Sequence, residues 1–93
     1  MEYGIKIMET NLQFELEFAK AYPSFTSNLS KLSTDLTPRE IKISMYLRMN
    51  YDSKQIQSQL NISHSTYFNA CCSIRKKLKI KRNENLTNKI LAI

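Results

Sequence analysis

The sequence has few of the residues that punctuate sheets or build catalytic sites. Its 93 residues include one glycine, two prolines and one histidine. So little glycine and proline leaves few of the turns that a sheet requires, which favours an all-helical fold. The lone histidine has no suitably placed nucleophile, no glycine-rich phosphate loop is present, and the basic half of the chain has no carboxylate pair. These absences argue against an enzyme.

The two cysteines are neighbours, Cys71 and Cys72. Adjacent residues on a helix do not readily form a disulfide, and a single histidine cannot complete a set of four zinc ligands. We therefore expect one buried and one surface thiol in a reducing cytoplasm, without metal or cofactor. No signal peptide is visible, and no apolar run approaches the ~18 residues of a membrane helix. The chain is thus predicted to be cytoplasmic, with no membrane contact and no evident small-molecule substrate.

Acidic residues are scarce in the second part of the chain. Residues 1–40 carry four basic and six acidic side chains, whereas residues 41–93 carry ten and two, and the net charge is +6. Such an excess predicts an anionic partner that contacts the second part. The length allows one small domain with a modest core.

Three capped helices are predicted within residues 36–80. The first begins after Thr37, since Pro38 suits the first helical position and Glu40 lies three residues after Thr37, as in a capping box. Apolar residues then recur three or four positions apart until Asn50 interrupts them. This pattern predicts a first helix that ends shortly before Asn50.

A short second helix and a longer third helix follow. Ser53 is expected to cap the second, over residues 54–60, and Asn61 tolerates the left-handed conformation of a tight helix exit. Ser63 is expected to cap the third helix, over residues 64–78. The connection between them has the length found in a helix-turn-helix.

The third helix has an apolar face and a polar face. The apolar positions are Tyr67, Ala70, Cys71, Ile74 and Leu78. The positions predicted to face outward, as in a recognition helix, are His64, Ser65, Phe68, Asn69, Cys72 and Lys76.

Two more helices are predicted before residue 36, separated by Pro23. The first, over residues 5–22, has a broad apolar side, for which core packing is expected and a partner or dimer contact is the alternative. That side consists of Ile5, Met8, Leu12, Phe14, Leu16, Phe18, Ala19 and Tyr22. Ser24 can cap the second, which carries Phe25, Leu29 and Leu32 on one side.

The segments LTPRE, SKQIQSQLNIS and IRKKLKI, in this order and at this spacing, resemble the LuxR-type DNA-binding domain of bacterial transcriptional regulators, also called GerE- or NarL-type. The upstream FELEFAKAYPSFTSNLSKLSTDLTP resembles the extension of a subgroup that closes larger sensor or repeat proteins. The resemblance covers residues 14–92. It implies an all-α fold in which a three-helix core and a fourth helix, Asn83 to Ala92, form a helix-turn-helix domain over residues 36–93. Residues 1–35 would form two helices packed on that domain.

The resemblance also implies that the third helix, residues 63–78, enters the major groove. Positions that touch bases in the family match His64, Ser65, Phe68, Asn69 and Cys72. Many family members have Lys, Arg or His at several such sites, whereas this chain has Phe68, Cys71 and Cys72. Asn69 can pair with adenine and Phe68 can pack against a thymine methyl group, so a preference for A·T pairs is expected. Alternatively, Phe68 is buried against another subunit or the N-terminal helices.

A basic run over residues 75–82 is predicted to contact phosphates. It consists of Arg75, Lys76, Lys77, Lys79, Lys81 and Arg82. Like charges this close repel one another unless a polyanion neutralises them. A solvated helix end that complements the macrodipole accounts for one or two such charges, but hardly for six. Ser53, Lys54 and Thr66 are further candidates for phosphate contact at the other edge.

The predicted function is that of a transcriptional regulator's output domain that binds double-stranded DNA. A homodimer on DNA is expected, because one helix-turn-helix reads only a short half-site. Leu86, Ile90 and Leu91 are the expected dimer contact, although packing onto the parent domain is equally compatible. The alternative function is a degenerate helix-turn-helix that acts as a protein-interaction or dimerisation module and binds protein through Phe68.

Overall fold

A computed structural model describes residues 13–93, in which six helical segments and no strand occur. Residues 13–21 are helical and are called α1. They are followed by α2 (Phe25–Leu32), α3 (Pro38–Arg48), α4 (Ser53–Leu60), α5 (His64–Lys77) and α6 (Leu86–Leu91). The predicted all-helical fold is confirmed for this part of the chain. The predictions for Ile5, Met8 and Leu12 lie outside the described residues. Within residues 13–93, no helix is both long and apolar enough to cross a bilayer.

Every helical segment contributes a side chain to one common core. These side chains, each at most 1% exposed, are Phe18, Leu29, Ile43, Ile56, Ile74 and Ile90, in the order α1 to α6. Helix α3 packs against both α5 and α6, and α4 packs against α5. Burial of one such side chain stabilises a fold by about 1.5–3 kcal/mol relative to its exposure. The shared core therefore holds α5 in a defined position relative to the other helices.

Helix α1 is joined to the rest of the chain through aromatic contacts. The Phe14 ring stacks on the Tyr46 ring of α3, with centroids 4.3 Å apart. One turn later, the Phe18 ring meets the Phe25 ring of α2 edge to face at 5.3 Å. Such pairs contribute about 0.5–1.5 kcal/mol beyond their area burial. The N-terminal helices thus share a core with the helices that follow.

The buried side of α1 is narrower than predicted. Leu16 is 55% exposed and Ala19 is also exposed, so neither belongs to the buried side. The reason is helical geometry, because successive residues of a helix are rotated by about 100° around its axis. Leu16 therefore lies about 200° around α1 from Phe14, which contacts α3. In α2, Leu32 is likewise 54% exposed.

Two helices begin with reciprocal capping boxes. Thr37 and Glu40 form the predicted box, since each side chain accepts a hydrogen bond from the other residue's backbone N–H, at 3.2 and 2.9 Å. For α4 the predicted cap, Ser53, is wrong by one residue. Asp52 caps the helix because Gln55, three residues later, can return the hydrogen bond that completes the box.

The connection between α4 and α5 has the predicted chemistry. Asn61 is left-handed, with φ 54°, and ends α4. The Ser63 hydroxyl accepts a hydrogen bond from the Thr66 backbone N–H at 3.1 Å and caps α5. At α2 the start is as predicted, but Ser24 makes no side-chain cap hydrogen bond.

Two residues after the end of α5, Lys79 has the left-handed backbone conformation that glycine adopts without strain. Lys79 has φ 57°, and the next N–H, of Ile80, donates to the Arg75 carbonyl at 2.9 Å. A non-glycine residue in this conformation costs roughly 1 kcal/mol. Lys79→Gly is therefore expected to raise the free energy of unfolding by about 0.5–1 kcal/mol in a urea titration followed by circular dichroism. Asn61→Gly is the control and should have a smaller effect, because asparagine tolerates this conformation. A less stable Lys79→Gly variant would contradict the prediction.

Candidate nucleic-acid interface

Helix α5 is the longest described helix and is positioned by α3 and α4. It has 14 residues and so extends for about 20 Å. Residues 61–63 join it directly to α4, and its inner side contributes Ile74 to the core. Residues on the opposite side of the helix are exposed.

The outer face of α5, formed by His64, Ser65, Phe68, Asn69 and Lys76, is exposed to solvent. Phe68 is 58% exposed, and its ring stacks on that of His64 with centroids 6.5 Å apart. Helix α5 contains no acidic residue. The residues of this face therefore offer no negative charge to repel a polyanion.

The cysteines differ from the prediction of one buried and one surface thiol, because both are partly buried. Burial raises the pKa of the Cys71 thiol, although a hydrogen bond with the Tyr67 hydroxyl partly opposes this effect. Cys71 is therefore in its neutral form at physiological pH. Cys72, predicted to face outward, lies at the margin of the outer face and is less accessible than Phe68 or Asn69.

Four members of the basic run are exposed, and they are called the basic cluster below. They are Lys76, Lys79, Lys81 and Arg82. None of them forms an ion pair with any residue in the described part of the chain. The cluster lies at the C-terminal end of α5 and in the connection that follows. Lys76 of this cluster lies on the outer face of α5, and all four side chains are groups suited to phosphate.

Lys77, for which a phosphate contact was predicted, forms an ion pair within the protein. Its ammonium lies 2.7 Å from Oε1 of Glu40 at the start of α3, and the two side chains are 26% and 8% exposed. Burial alone would raise the pKa of Glu40, but hydrogen bonds from Lys77, the Thr37 N–H and Ser73 outweigh it and lower that pKa. Lys77 therefore ties α5 to α3. The signal that could have revealed this is its position three residues after Ile74, on the buried side of α5.

Arg75, which is partly buried, also contacts other groups of the protein. Its guanidinium donates to the Lys81 and Glu84 carbonyls, at 2.9 and 3.0 Å. The Lys81 N–H in turn donates to the Glu84 carboxylate at 3.0 Å, which lowers the pKa of that carboxyl. Arg75 therefore positions the connection that carries Lys81 and Arg82.

Helix α6 is shorter than the predicted fourth helix. It begins at Leu86 because the Asn85 side chain accepts a hydrogen bond from the Asn88 N–H at 3.0 Å and so caps it. Ile90 is 0% exposed and packs in the core, which contradicts the dimer contact predicted for it. Leu86 and Leu91 are partly buried. For Ile90 the alternative, packing onto the parent domain, is the one observed.

The residues predicted to contact phosphate at the other edge, Ser53, Lys54 and Thr66, are not all exposed. Ser53 and Lys54 are exposed in the first turn of α4, directly after the Asp52 carboxylate that caps it. Thr66 is partly buried, and its hydroxyl oxygen accepts a hydrogen bond from the Ser63 hydroxyl at 3.0 Å. The acidic cap makes this edge less favourable for phosphate than the basic cluster.

No family model matches this chain, and neither a curated protein nor a solved structure does so. What the interface binds is therefore argued from its own geometry and charge.

Proposed function

We propose that this chain is a DNA-binding domain of the LuxR type and the output domain of a transcriptional regulator. In this proposal α5 enters the major groove and the basic cluster contacts the phosphates at one edge of the groove. The observation that carries it is the exposed outer face of α5, a helix without acidic residues, together with the four exposed cations of the basic cluster, which have no ion-pair partners among residues 13–93. The short connection between α4 and α5 and their contact in the core support the same proposal.

Only some residues of the basic run are proposed to contact phosphate. Lys76, Lys79, Lys81 and Arg82 are the main ones, with Lys54 at the other edge. Lys77 and Arg75 hold α5 and the following connection in place, as their contacts with Glu40 and with backbone carbonyls indicate.

A homodimer on DNA is part of the proposal, because one inserted helix reads only a short half-site and a two-fold pair doubles the contact. Ile90 is excluded from its interface by burial. A contact through α6 would therefore have to use the partly buried Leu86 and Leu91.

The test is a fluorescence anisotropy titration against a random-sequence duplex at two ionic strengths. With about four phosphate contacts per chain, the affinity of a single bound chain should fall by about 10² between ~50 and ~200 mM salt. Lys76→Ala with Lys81→Ala should weaken binding about tenfold and lower the slope of log affinity against log salt by about 2.

The matched control is Lys20→Ala with Lys31→Ala, which removes the same charge from exposed positions on α1 and α2. This variant should retain nearly the whole slope. An equal effect of both variants, or binding that ignores salt, would contradict a specific DNA interface.

A protein-interaction module is the second candidate function. The observation that favours it is Phe68, the most exposed of the large apolar side chains that lie open to solvent in the described part. A protein partner held by this ring would bind with little dependence on salt and on the basic cluster. Weak duplex binding together with salt-insensitive capture by a protein would support this candidate.

A further inference from the structure

The outer face of α5 lacks charge over its first two turns. The exposed groups there are His64, Ser65, Phe68 and Asn69, and Lys76 follows only two turns after Phe68 and Asn69. Bidentate recognition of guanine in the major groove depends mainly on arginine or lysine. Asparagine pairs instead with adenine, through its N6 and N7 atoms. The early part of α5 is therefore chemically suited to A·T pairs.

The most exposed apolar group on this face also has a defined neighbour. The Phe68 ring is 58% exposed and is inclined by 28° to the His64 ring, with the two centroids 6.5 Å apart. Together the two rings form an aromatic surface one helical turn long. The C5-methyl group of thymine is the apolar group that a base pair presents in the major groove. An aromatic surface that enters the groove at this point can exclude water from that methyl group.

We propose that the Phe68 ring, stacked on His64, is a binding site for the C5-methyl group of a pyrimidine, and that Asn69 reads an adjacent adenine. The inference rests on the proposed function and specifies what the DNA interface selects. Because 5-methylcytosine carries the same methyl group at the same edge of the groove, it is recognised as well. The preferred duplex is thus defined by methyl groups on its major-groove edge.

The experiment uses two pairs of short duplexes that differ only in this methyl group. One pair is alternating A·T and the same sequence with deoxyuridine in place of thymidine. The other is alternating G·C and the same sequence with 5-methylcytosine. At one fixed salt concentration, the methylated member of each pair should bind about fourfold more tightly for each methyl group contacted, the effect of burying one CH₂-sized group.

The control variants separate contact from DNA shape. Phe68→Ala should remove the methyl dependence from both pairs, whereas Phe68→Leu should keep part of it. Asn69→Ala should reduce the preference for A·T over G·C and leave the methyl dependence unchanged. Both positions are exposed, so the far-ultraviolet circular dichroism of the variants should match that of the original chain.

The possible outcomes distinguish a failure of the methyl site from a failure of the proposed function. Equal affinities within both pairs, or methyl dependence that persists in Phe68→Ala, would overturn the methyl site while the proposed function stands. If the original chain binds none of the duplexes, the proposed function fails and the methyl site fails with it.

Discussion

Replacing Phe18 with Ala is expected to lower the free energy of unfolding of the whole chain by about 3–5 kcal/mol. Phe18 is 1% exposed and touches aromatic rings on both sides, Tyr22 at 5.0 Å and Phe25 at 5.3 Å. Truncation therefore removes buried apolar area and leaves a cavity between α1 and α2. Because the core is shared by all six helical segments, the loss should appear in one cooperative transition.

The measurement is urea unfolding followed by circular dichroism, with tyrosine fluorescence as a second probe. Leu16→Ala provides the control, since it makes a similar truncation on the same helix at a position that is 55% exposed. It should change stability by less than about 0.5 kcal/mol. A biphasic transition in the Phe18 variant, or equal effects of the two substitutions, would show that α1 is not integral to the core.

Replacing Glu40 with Ala is expected to destabilise the fold by about 2–3 kcal/mol. The change removes the acceptor for the Thr37 N–H and leaves the Lys77 ammonium without its partner. The range is below the 3–5 kcal/mol or so reached by fully buried pairs, because Lys77 is 26% exposed. Glu40→Gln keeps an oxygen acceptor for Thr37 and loses only the charge, so its effect should be smaller.

The coupling between Glu40 and Lys77 is measured by a double-mutant cycle with Lys77→Met, which retains the aliphatic part of the side chain. The double variant, Glu40→Gln with Lys77→Met, should lose less free energy of unfolding than the two single variants lose in sum. Additive effects would mean that the 2.7 Å contact contributes nothing specific.

The Glu40–Lys77 ion pair is also expected to make the free energy of unfolding depend on pH. The pKa of Glu40 is lowered from its ordinary value of 4.5, so the unfolded chain takes up this proton at a higher pH than the folded chain. The stabilisation is therefore fully present above pH 4.5 and is lost as the pH falls through the pKa of the folded state. Accordingly, the stability difference between the original chain and Glu40→Gln should narrow below pH 4.5. A difference that stays constant down to strongly acidic pH would contradict the ion pair.

Most helix boundaries could be predicted because the groups that set them are close in sequence. Thr37 and Glu40, three residues apart, form their box as expected, and Asn61 adopts the left-handed conformation. The one-residue error at α4 is also local, since two adjacent residues could cap and the choice depended on Gln55. The Asn85 cap that shortens α6 has the same three-residue spacing.

The exposed part of the candidate interface was predictable for a similar reason. The helical period places Ser65, Phe68 and Asn69 on one side, and the structure leaves all three exposed. Which of the basic residues remain available was predictable only in part. The helical period places Lys77 near the buried side of α5, but no local pattern indicates that its partner is Glu40 or that Arg75 donates to the Lys81 and Glu84 carbonyls.

The amino-acid sequence by itself determined that the chain is helical, where most helices begin and which side of α5 faces outward, because capping and helical period act over a few residues. The tertiary structure decided the partner of Lys77, which lies 37 positions from Glu40, and the burial of Ile90 against α3. It also decided that Leu16 is exposed. These outcomes depend on how helices distant in sequence pack together, since a side chain's exposure is set by the neighbour that covers it and not by its own chemistry.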